Sequence, residues 1–212
     1  MLGVKENVKY IRTRGGKFVL NVPAHTPDAK ERTTESGKTY SYLEYDWIDG
    51  LITGLSLNSR EWDGKEFEDI EIRMIDSDGD KYVLILSTNS AVGNCFFNLM
   101  ENIKPEKPVK FSIKRTDERD SLFAEQSGET IKWKYTKANP GNKPQWEQIM
   151  VKGKKVWDNT DELLFFKERL NEVAATINVE EGGEVEFPPV SNSRGWEGLQ
   201  EPVFDNDDDL PF

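Results

Sequence analysis

The feature of the sequence that most constrains the fold is the order of its hydrophobic patterns between residues 40 and 135. Three strand-like stretches joined by short turns come first, a stretch with apolar residues three and four apart follows, and two alternating stretches end the series. Alternation places side chains on the two faces of a strand, whereas the three-and-four spacing places them on one face of a helix. The pattern therefore predicts three strands, a helix and two more strands.

Turn residues and caps set the predicted bounds. Gly50 and Gly54 interrupt the first long strand, and glycines within a strand allow it to bend sharply. Asn89 or Ser90 is placed to cap the helix, which Lys104-Pro105 ends. A further strand precedes a polar, turn-rich stretch at 25–38, which we interpret as a loop. The predicted strands cover residues 17–22, 40–57, 68–75, 81–87, 108–115 and 129–135.

This element order is that of an OB-fold, a five-stranded barrel whose helix lies between its third and fourth strands. We therefore predict a mainly β protein with two helices: an OB-fold-like five-stranded barrel over residues 1–158, a second helix over 159–177 and a disordered acidic tail over 178–212. SH3-like and other small barrels stay open as alternatives. Asn159 and Glu162 form a capping-box pair for the second helix. Its apolar face either packs on the barrel or mediates dimerisation into a homo-oligomer.

The formal net charge of -11 is distributed unevenly along the chain. Residues 178–212 contain ten acids and one base, so this segment carries -9 and the remaining chain only -2. Within that remainder, residues 104–155 hold 13 bases and seven acids. A near-neutral body with a basic region is compatible with a polyanionic ligand, which the overall charge would have argued against.

The basic region and the aromatic residues supply what binding of a single strand requires. Cations along a groove hold phosphates, and exposed aromatic rings stack on bases without reading their sequence. Trp133 and Tyr135 either stack on bases or fill the core, and a solvated lysine face without a ligand is the alternative for the cations. Residues 152–155 contain a further lysine cluster. The candidate DNA-binding residues are Tyr42, Tyr45, Trp47, Trp62, Arg73, Lys110, Lys114, Arg115, Lys132, Trp133, Lys134 and Tyr135.

The aromatic residues near the start of the first long strand are predicted to lie on both of its faces. Tyr40 and Tyr42 differ in parity from Tyr45 and Trp47, so these four rings cannot share one face. At least one side of that stretch is therefore expected to show aromatic rings to solvent.

The sequence does not indicate an enzyme or a cofactor. It lacks a glycine-rich phosphate loop, a Ser/His/Asp set and a cysteine–histidine cluster. Asp76, Asp78 and Asp80 could suggest a metal site, but a turn rich in Asp and Gly explains them without metal. His25 is interpreted as a solvated loop residue. A single cysteine, Cys95, and the lack of a run of ~20 apolar residues predict a cytoplasmic protein that does not enter the membrane.

The last nine residues combine an acidic run with an apolar end. Their composition suits a short linear motif, with the terminal phenylalanine entering a hydrophobic pocket of a partner while basic residues around that pocket hold the acids. A merely solubilising acidic tail is the alternative. The candidate partner-binding residues are Asp205, Asp207, Asp208, Asp209, Leu210, Pro211 and Phe212.

This ending resembles the C-terminal tip of bacterial single-stranded DNA-binding proteins, in which a run of aspartates precedes an apolar residue, proline and phenylalanine. The resemblance implies non-specific binding and protection of single-stranded DNA in replication, recombination and repair. It also implies recruitment of polymerases, helicases or nucleases through the tip. The body shows no close match to the bacterial domain and carries an extra helix before the tail, so the chain is similar to the proteins of this class that bacteriophages encode.

Two other functions stay open at this point. An adaptor would bind protein through its body and dock on host replication enzymes through the tip, with no affinity for DNA. A metal-dependent nuclease would use Asp76, Asp78 and Asp80. Quenching of tryptophan fluorescence by oligonucleotides distinguishes the first alternative from a DNA-binding protein, and magnesium-dependent cleavage would identify the second.

Overall fold

A computed structural model of the chain describes residues 8–34, 37–62, 64–116 and 119–180, with only the backbone described at Trp62 and at 178–180. The fold is mainly β with two helices, as predicted. The second helix extends to Glu180, three residues into the segment predicted as a tail. The rest of that segment, including the tip from Asp205 to Phe212, lies outside the described residues.

Twelve strands and two helices make up the described chain. The helices are α1 (Ala91–Leu99), continued by a 3₁₀ turn (Met100–Asn102), and α2 (Thr160–Glu180). The strands are β1 (Lys9–Arg14), β2 (Lys17–Val22), β3 (Lys30–Thr33), β4 (Thr39–Tyr45), β5 (Trp47–Trp62), β6 (Lys65–Ile75), β7 (Lys81–Ser87), β8 (Val109–Thr116), β9 (Arg119–Gln126), β10 (Glu129–Thr130), β11 (Glu147–Val151) and β12 (Lys154–Asp158).

Ten of the strands form one sheet in the order β10-β9-β8-β5-β6-β7-β1-β2-β4-β3, and β11 and β12 form a separate two-stranded sheet. Every pairing is antiparallel except that of β1 with β7. The predicted succession of three strands, a helix and two strands is present as β5, β6, β7, α1, β8 and β9. The predicted barrel of five strands was wrong in its strand count, since ten strands form the sheet, and in the described part of the chain the sheet does not close into a barrel.

Strand β5 changes partners along its length. Its first four residues pair with β8, and the remainder, from Leu51 on, pairs with β6 with a register shift between Ile52 and Gly54. At Gly50 a Cβ atom would lie 2.6 Å from the carbonyl oxygen of Ile75 and 2.9 Å from the Tyr82 hydroxyl, which donates a hydrogen bond to the carbonyl of Asp49. Only glycine permits this close approach at residue 50, and the register shift beside Gly54 is an irregularity of the strand at the second glycine.

The core lies between one face of the sheet and both helices. Ser90 caps α1, since its hydroxyl accepts a hydrogen bond from the Gly93 amide at 3.0 Å. Phe97 of α1 stacks on Phe166 of α2, with ring centroids 5.1 Å apart. Leu170 and other apolar residues of α2 are buried in the same core, so this helix packs on the body rather than presenting its apolar face to a second chain. Neither helix of the described chain is long and apolar enough to cross a membrane.

Several predicted elements require correction. The strand predicted over 40–57 is two strands separated at Asp46, and the loop predicted over 25–38 contains β3. The strand predicted over 129–135 ends at Thr130: the Ile131 amide still donates to the Ala124 carbonyl of β9, but the Lys134 amide donates to the Asn98 carbonyl of α1 at 2.7 Å. The strand that pairs with β8 is β9, which the patterns did not indicate. The predicted capping box of α2 is not formed through Glu162, whose carboxylate accepts from Lys143 and Trp146, and the Thr160 amide donates instead to the Asp158 carboxylate at 2.9 Å.

Candidate nucleic-acid interface

The outer face of β5, β8 and β9, turned away from the core, carries a row of three residues across the strands. Trp47 pairs with Ser112, and Ser112 pairs with Phe123. Neighbouring strands lie about 4.8 Å apart, so the two aromatic residues are separated by about 10 Å across the small serine side chain. Their inner neighbours Ile48 and Leu122 are buried, which fixes the outward direction of Trp47 and Phe123.

Two lysines lie on either side of this row. Lys110 and Lys114 are each two residues from Ser112 on β8 and so share its face. The Lys110 ammonium lies 4.9 Å from the centroid of the Trp47 ring, and the Lys114 ammonium lies 5.4 Å from that of Phe123. These cation–π contacts keep each charge beside a ring instead of on a carboxylate. We call Trp47, Lys110, Ser112, Lys114 and Phe123 the aromatic–lysine patch.

The exposure of the patch matches what base stacking requires. Trp47 is 50% exposed and Phe123 is 38% exposed, although their inward-facing neighbours Ile48 and Leu122 are buried. Asp49 and Glu125 lie opposite Lys110 on the neighbouring strands, so we expect the positive potential to be greatest toward Lys114. The patch therefore offers exposed rings and flanking cations on one rigid surface, the two ingredients that hold a single strand.

Arg115 was predicted to accompany these lysines, and that placement was wrong. It occupies the opposite parity on β8, where its Cβ atom approaches the turn between β1 and β2 at Gly16. Asp120 lies 3.9 Å from the Arg115 guanidinium and accepts a hydrogen bond from the Gly16 amide at 3.0 Å. Arg115 thus lies in a contact between the β1–β2 turn and the β8–β9 hairpin.

Tyr42 and Arg73 lie elsewhere on the sheet. Tyr42 lies on β4, and four strands of the sheet stand between β4 and β5. The guanidinium of Arg14 lies 5.7 Å from the centroid of the Tyr42 ring. The guanidinium of Arg73 on β6 lies 3.9 Å from the carboxylate of Glu71, which is buried. This carboxylate also accepts a hydrogen bond from the side-chain amide of Asn58 at 2.9 Å. The structure therefore does not bring these two predicted residues to the patch.

The parity argument for the aromatic residues near Asp46 is confirmed. Tyr42 shares a face of β4 with its partner Asn21, whereas Tyr45 shares the opposite face with the buried Phe18. Tyr45 is 38% exposed and lies two residues before Trp47, beside Asp46, which separates β4 from β5. The side chain of Trp62 lies outside the described part of the chain, where its backbone ends β5.

The predicted residues between 132 and 135 divide into exposed and buried ones. Lys132, Trp133 and Lys134 are exposed, but they lie in an irregular segment beside α1 and not on a strand next to Lys110. Tyr135 is buried against Phe165 and Phe166 and donates a hydrogen bond of 2.5 Å to Glu101. Burial, together with this hydrogen bond, raises the pKa of Tyr135 to about 12. Tyr135 therefore fills the core, the other alternative that its sequence pattern allowed, and cannot stack on a base.

An open cavity of about 290 Å³ lies beside the exposed Trp133. Glu162 of α2 is only 4% exposed, and it accepts hydrogen bonds from the Lys143 ammonium and from the indole N–H of Trp146. The cavity thus has two tryptophans in its wall, one of them held by a buried carboxylate. Its lining residues are Asn94, Asn98, Trp133, Tyr135, Thr136, Lys137, Lys143, Trp146 and Glu162.

Sequence reasoning missed Phe123, Ser112 and Lys143 as members of these sites. A signal for Phe123 existed, because it lies between Leu122 and Ala124, both of which are buried. The small Ala124 weakened the apolar alternation, so the strand itself was not recognised. No local pattern marks Lys143, whose role depends on Glu162 nineteen residues away.

The acidic turn between β6 and β7 has a structural role. The Asp76 carboxylate accepts the amide hydrogens of Asp78 and Asp80 at 3.0 and 2.9 Å, and Asp80 forms an ion pair with Lys9. In the described residues no group of three or more histidine, cysteine, aspartate or glutamate side chains is arranged to hold a metal ion. Comparison of the chain with protein-family models, curated proteins and solved structures gave no match.

Proposed function

We propose that the protein binds single-stranded DNA without sequence preference and protects it, and that its C-terminal tip recruits proteins of replication, recombination or repair. The aromatic–lysine patch is the observation that carries this proposal. Each stacked base contributes ~1–3 kcal/mol, and each neutralised phosphate adds sensitivity to salt. Neither contribution depends on which base is bound.

The order of elements supports the same function. The succession β5, β6, β7, α1, β8 and β9 matches the element order of an OB-fold, a partly open barrel that binds oligonucleotides on the face of its second and third strands and on two loops, one of them between its fourth and fifth strands. Strands β8 and β9 correspond to the fourth and fifth strands in this order, and Lys114 and Phe123 of the patch lie on them. We therefore propose an OB-related domain in which β1 pairs with β7 at the edge where a closed barrel would continue.

The test is a titration with oligo-dT followed by tryptophan fluorescence at several salt concentrations. Binding that weakens with salt and quenches the fluorescence is the expected result. A Lys110→Gln, Lys114→Gln variant should lower the slope of log affinity against log salt by about 1.4, because each phosphate contact on a single strand contributes about 0.7. The matched control is Lys104→Gln, Lys107→Gln, which removes the same charge from exposed lysines after α1 and should leave the slope unchanged.

Two results would contradict the proposal. If the wild-type protein neither binds nor is quenched at low salt, the DNA-binding function fails and an adaptor that docks through its tip becomes the better proposal. If both double variants lower the slope equally, binding reflects general charge and the patch has no specific part in it.

A further inference from the structure

The hairpin formed by β11 and β12, residues 147–158, is separate from the main sheet, and we call it the arm. Every one of its residues is exposed except Asp158, which is half-buried. A two-stranded hairpin without a covering layer contributes little to the stability of a domain. The exposed apolar side chains of the arm therefore have no role in the folded core and are available to a ligand.

The arm is nevertheless built as a defined element. Its turn residues Lys152 and Gly153 have φ angles of 49° and 80°, the pair of positive values that a tight two-residue hairpin turn requires. Both feet are fixed to the first turn of α2. The Asp158 carboxylate accepts from the hydroxyl of Thr160 at 2.6 Å, and the Trp146 indole donates to Glu162. The arm thus has a set register and two anchored ends.

The distribution of side chains on the arm indicates its ligand. Trp157 pairs with Gln148 and Met150 pairs with Lys155, so an indole, a thioether and an ammonium share one face. Trp157 is 58% exposed and Met150 is 64% exposed. The arm's acids lie at its foot, where Glu147 pairs with Asp158, four residues or about 14 Å from the last pair before the turn. The tip carries the cations Lys152, Lys154 and Lys155.

We propose that the arm is a second contact for the single strand, in which Trp157 stacks on a base and the three lysines hold neighbouring phosphates. This inference rests on the proposed function and extends it from one patch to two. Lys154 and Lys155 pair with apolar residues and not with acids, and Lys152 lies in the turn. Three cations beside an exposed indole favour a polyanion with aromatic bases over a protein partner.

The first test removes the charges of the tip. A Lys152→Asn, Lys154→Gln, Lys155→Gln variant keeps the turn, because asparagine tolerates a positive φ. Its slope of log affinity for oligo-dT against log salt should fall by about 2, and the number of nucleotides occluded per protein should decrease. The matched control, Lys65→Gln, Lys104→Gln, Lys107→Gln, removes the same charge from exposed lysines outside the arm and should leave both quantities unchanged.

The second test addresses stacking. Trp157→Ser should weaken oligo-dT binding about fivefold or more, as the loss of one stacked base requires. Trp157→Phe retains an aromatic ring and should preserve most of the affinity, while reducing the total fluorescence quenched on binding. Circular dichroism and thermal unfolding of each variant check that the exposed substitutions leave the fold intact.

The outcomes separate the two proposals. If the wild-type protein does not bind oligo-dT, the proposed function itself fails. If it binds, and the arm variants keep the wild-type slope, occluded length and affinity, the arm is not a DNA contact although the proposed function stands. If the arm variants instead change the sedimentation of the protein without DNA and leave binding unchanged, the arm contacts protein and this inference is wrong.

Discussion

Trp47 is 50% exposed on the outer face of β5, where its ring lies beside the Lys110 ammonium and outside the core. We therefore predict that Trp47→Ala leaves thermal stability nearly unchanged but weakens oligo-dT binding by about fivefold or more. Trp47→Phe is the control that keeps a stacking surface, and it should retain most of the affinity. A large loss of thermal stability in the alanine variant would show that the ring supports the fold, contrary to its proposed role.

Tyr135 leads to a prediction about pH, because its folded-state pKa of about 12 exceeds the value of about 10 expected in the unfolded chain. Below pH 10 the hydroxyl is neutral in both states and its stabilising contribution is complete. As the pH rises from about 10 toward 12, the unfolded chain ionises first, so the free energy of unfolding decreases. Tyr135→Phe lacks this contribution at every pH.

The measurement is urea unfolding of the wild type and Tyr135→Phe at pH 8, 9, 10 and 11. At pH 8 the variant should be less stable by about 1 kcal/mol, the net value of a typical hydrogen bond, here the one to Glu101. The difference between the two proteins should shrink above pH 10, because only the wild type loses the Tyr135 contribution. Burial also raises the pKa of Tyr82, but Tyr82 is present in both proteins, so its contribution cancels from the difference in stability. A difference that stays constant up to pH 11 would contradict the assignment.

At the scale of elements, α2 is tied to the segment before the arm by a buried carboxylate. Glu162 is 4% exposed and holds both Lys143 and Trp146, so Glu162→Gln removes one partner of a buried ion pair. We expect a loss of about 3 kcal/mol in the free energy of unfolding, the lower end for breaking such a pair, since Lys143 keeps some contact with solvent. Glu168→Gln, at an exposed position of the same helix, is the control and should cost less than about 0.5 kcal/mol.

Fluorescence provides a second readout for the same variant. Trp146 loses its charged hydrogen-bond acceptor in Glu162→Gln, so the emission of the folded protein should change relative to that of Glu168→Gln. Equal stability and equal emission in the two variants would mean that the Glu162 contacts contribute nothing measurable.

The elements that the sequence predicted well are those whose pattern is set by a single buried face. Residues 81–87 form β7 with the predicted bounds, and the helix after Ser90 begins at its expected cap. Prediction failed where partners distant in sequence decide the backbone hydrogen bonds. Residues 131–135 alternate as a strand would, yet the Lys132 carbonyl and the Lys134 amide bond to Asn102 and Asn98 of the α1 region. Local spacing contains no information about those partners.

The candidate site was predictable to a similar degree. Lys110 and Lys114 could be placed on one face because their two-fold spacing on β8 determines it. The pairing of Trp47 and Phe123 with Ser112 depends on the register of three strands, which the sequence alone does not specify. The prediction for Arg115 was wrong because Arg115 directly follows Lys114 on β8, so its side chain lies on the opposite face of the strand.

At the scale of the whole molecule, the net charge is concentrated beyond the described residues. Residues 181–212 contain nine acids and one base, so they carry -8 of the total of -11. The candidate DNA contacts, the aromatic–lysine patch and the arm, both lie in the part of the chain that carries the remaining -3. A segment of this charge attached to the same chain is a competitor for any cationic surface that binds phosphates.

We therefore predict that truncation after Glu180, the last residue of α2, tightens oligo-dT binding at 20–50 mM salt. The gain should decrease above about 0.2 M, where charges more than ~10 Å apart are largely screened. Replacing the four aspartates between 205 and 209 by asparagine keeps the length of the chain and should give part of the same gain. Removal of residues 210–212 alone should give none, because those residues carry no side-chain charge and are proposed to bind protein. Equal affinities of the full and truncated chains at low salt would show that the acidic segment and the DNA do not compete.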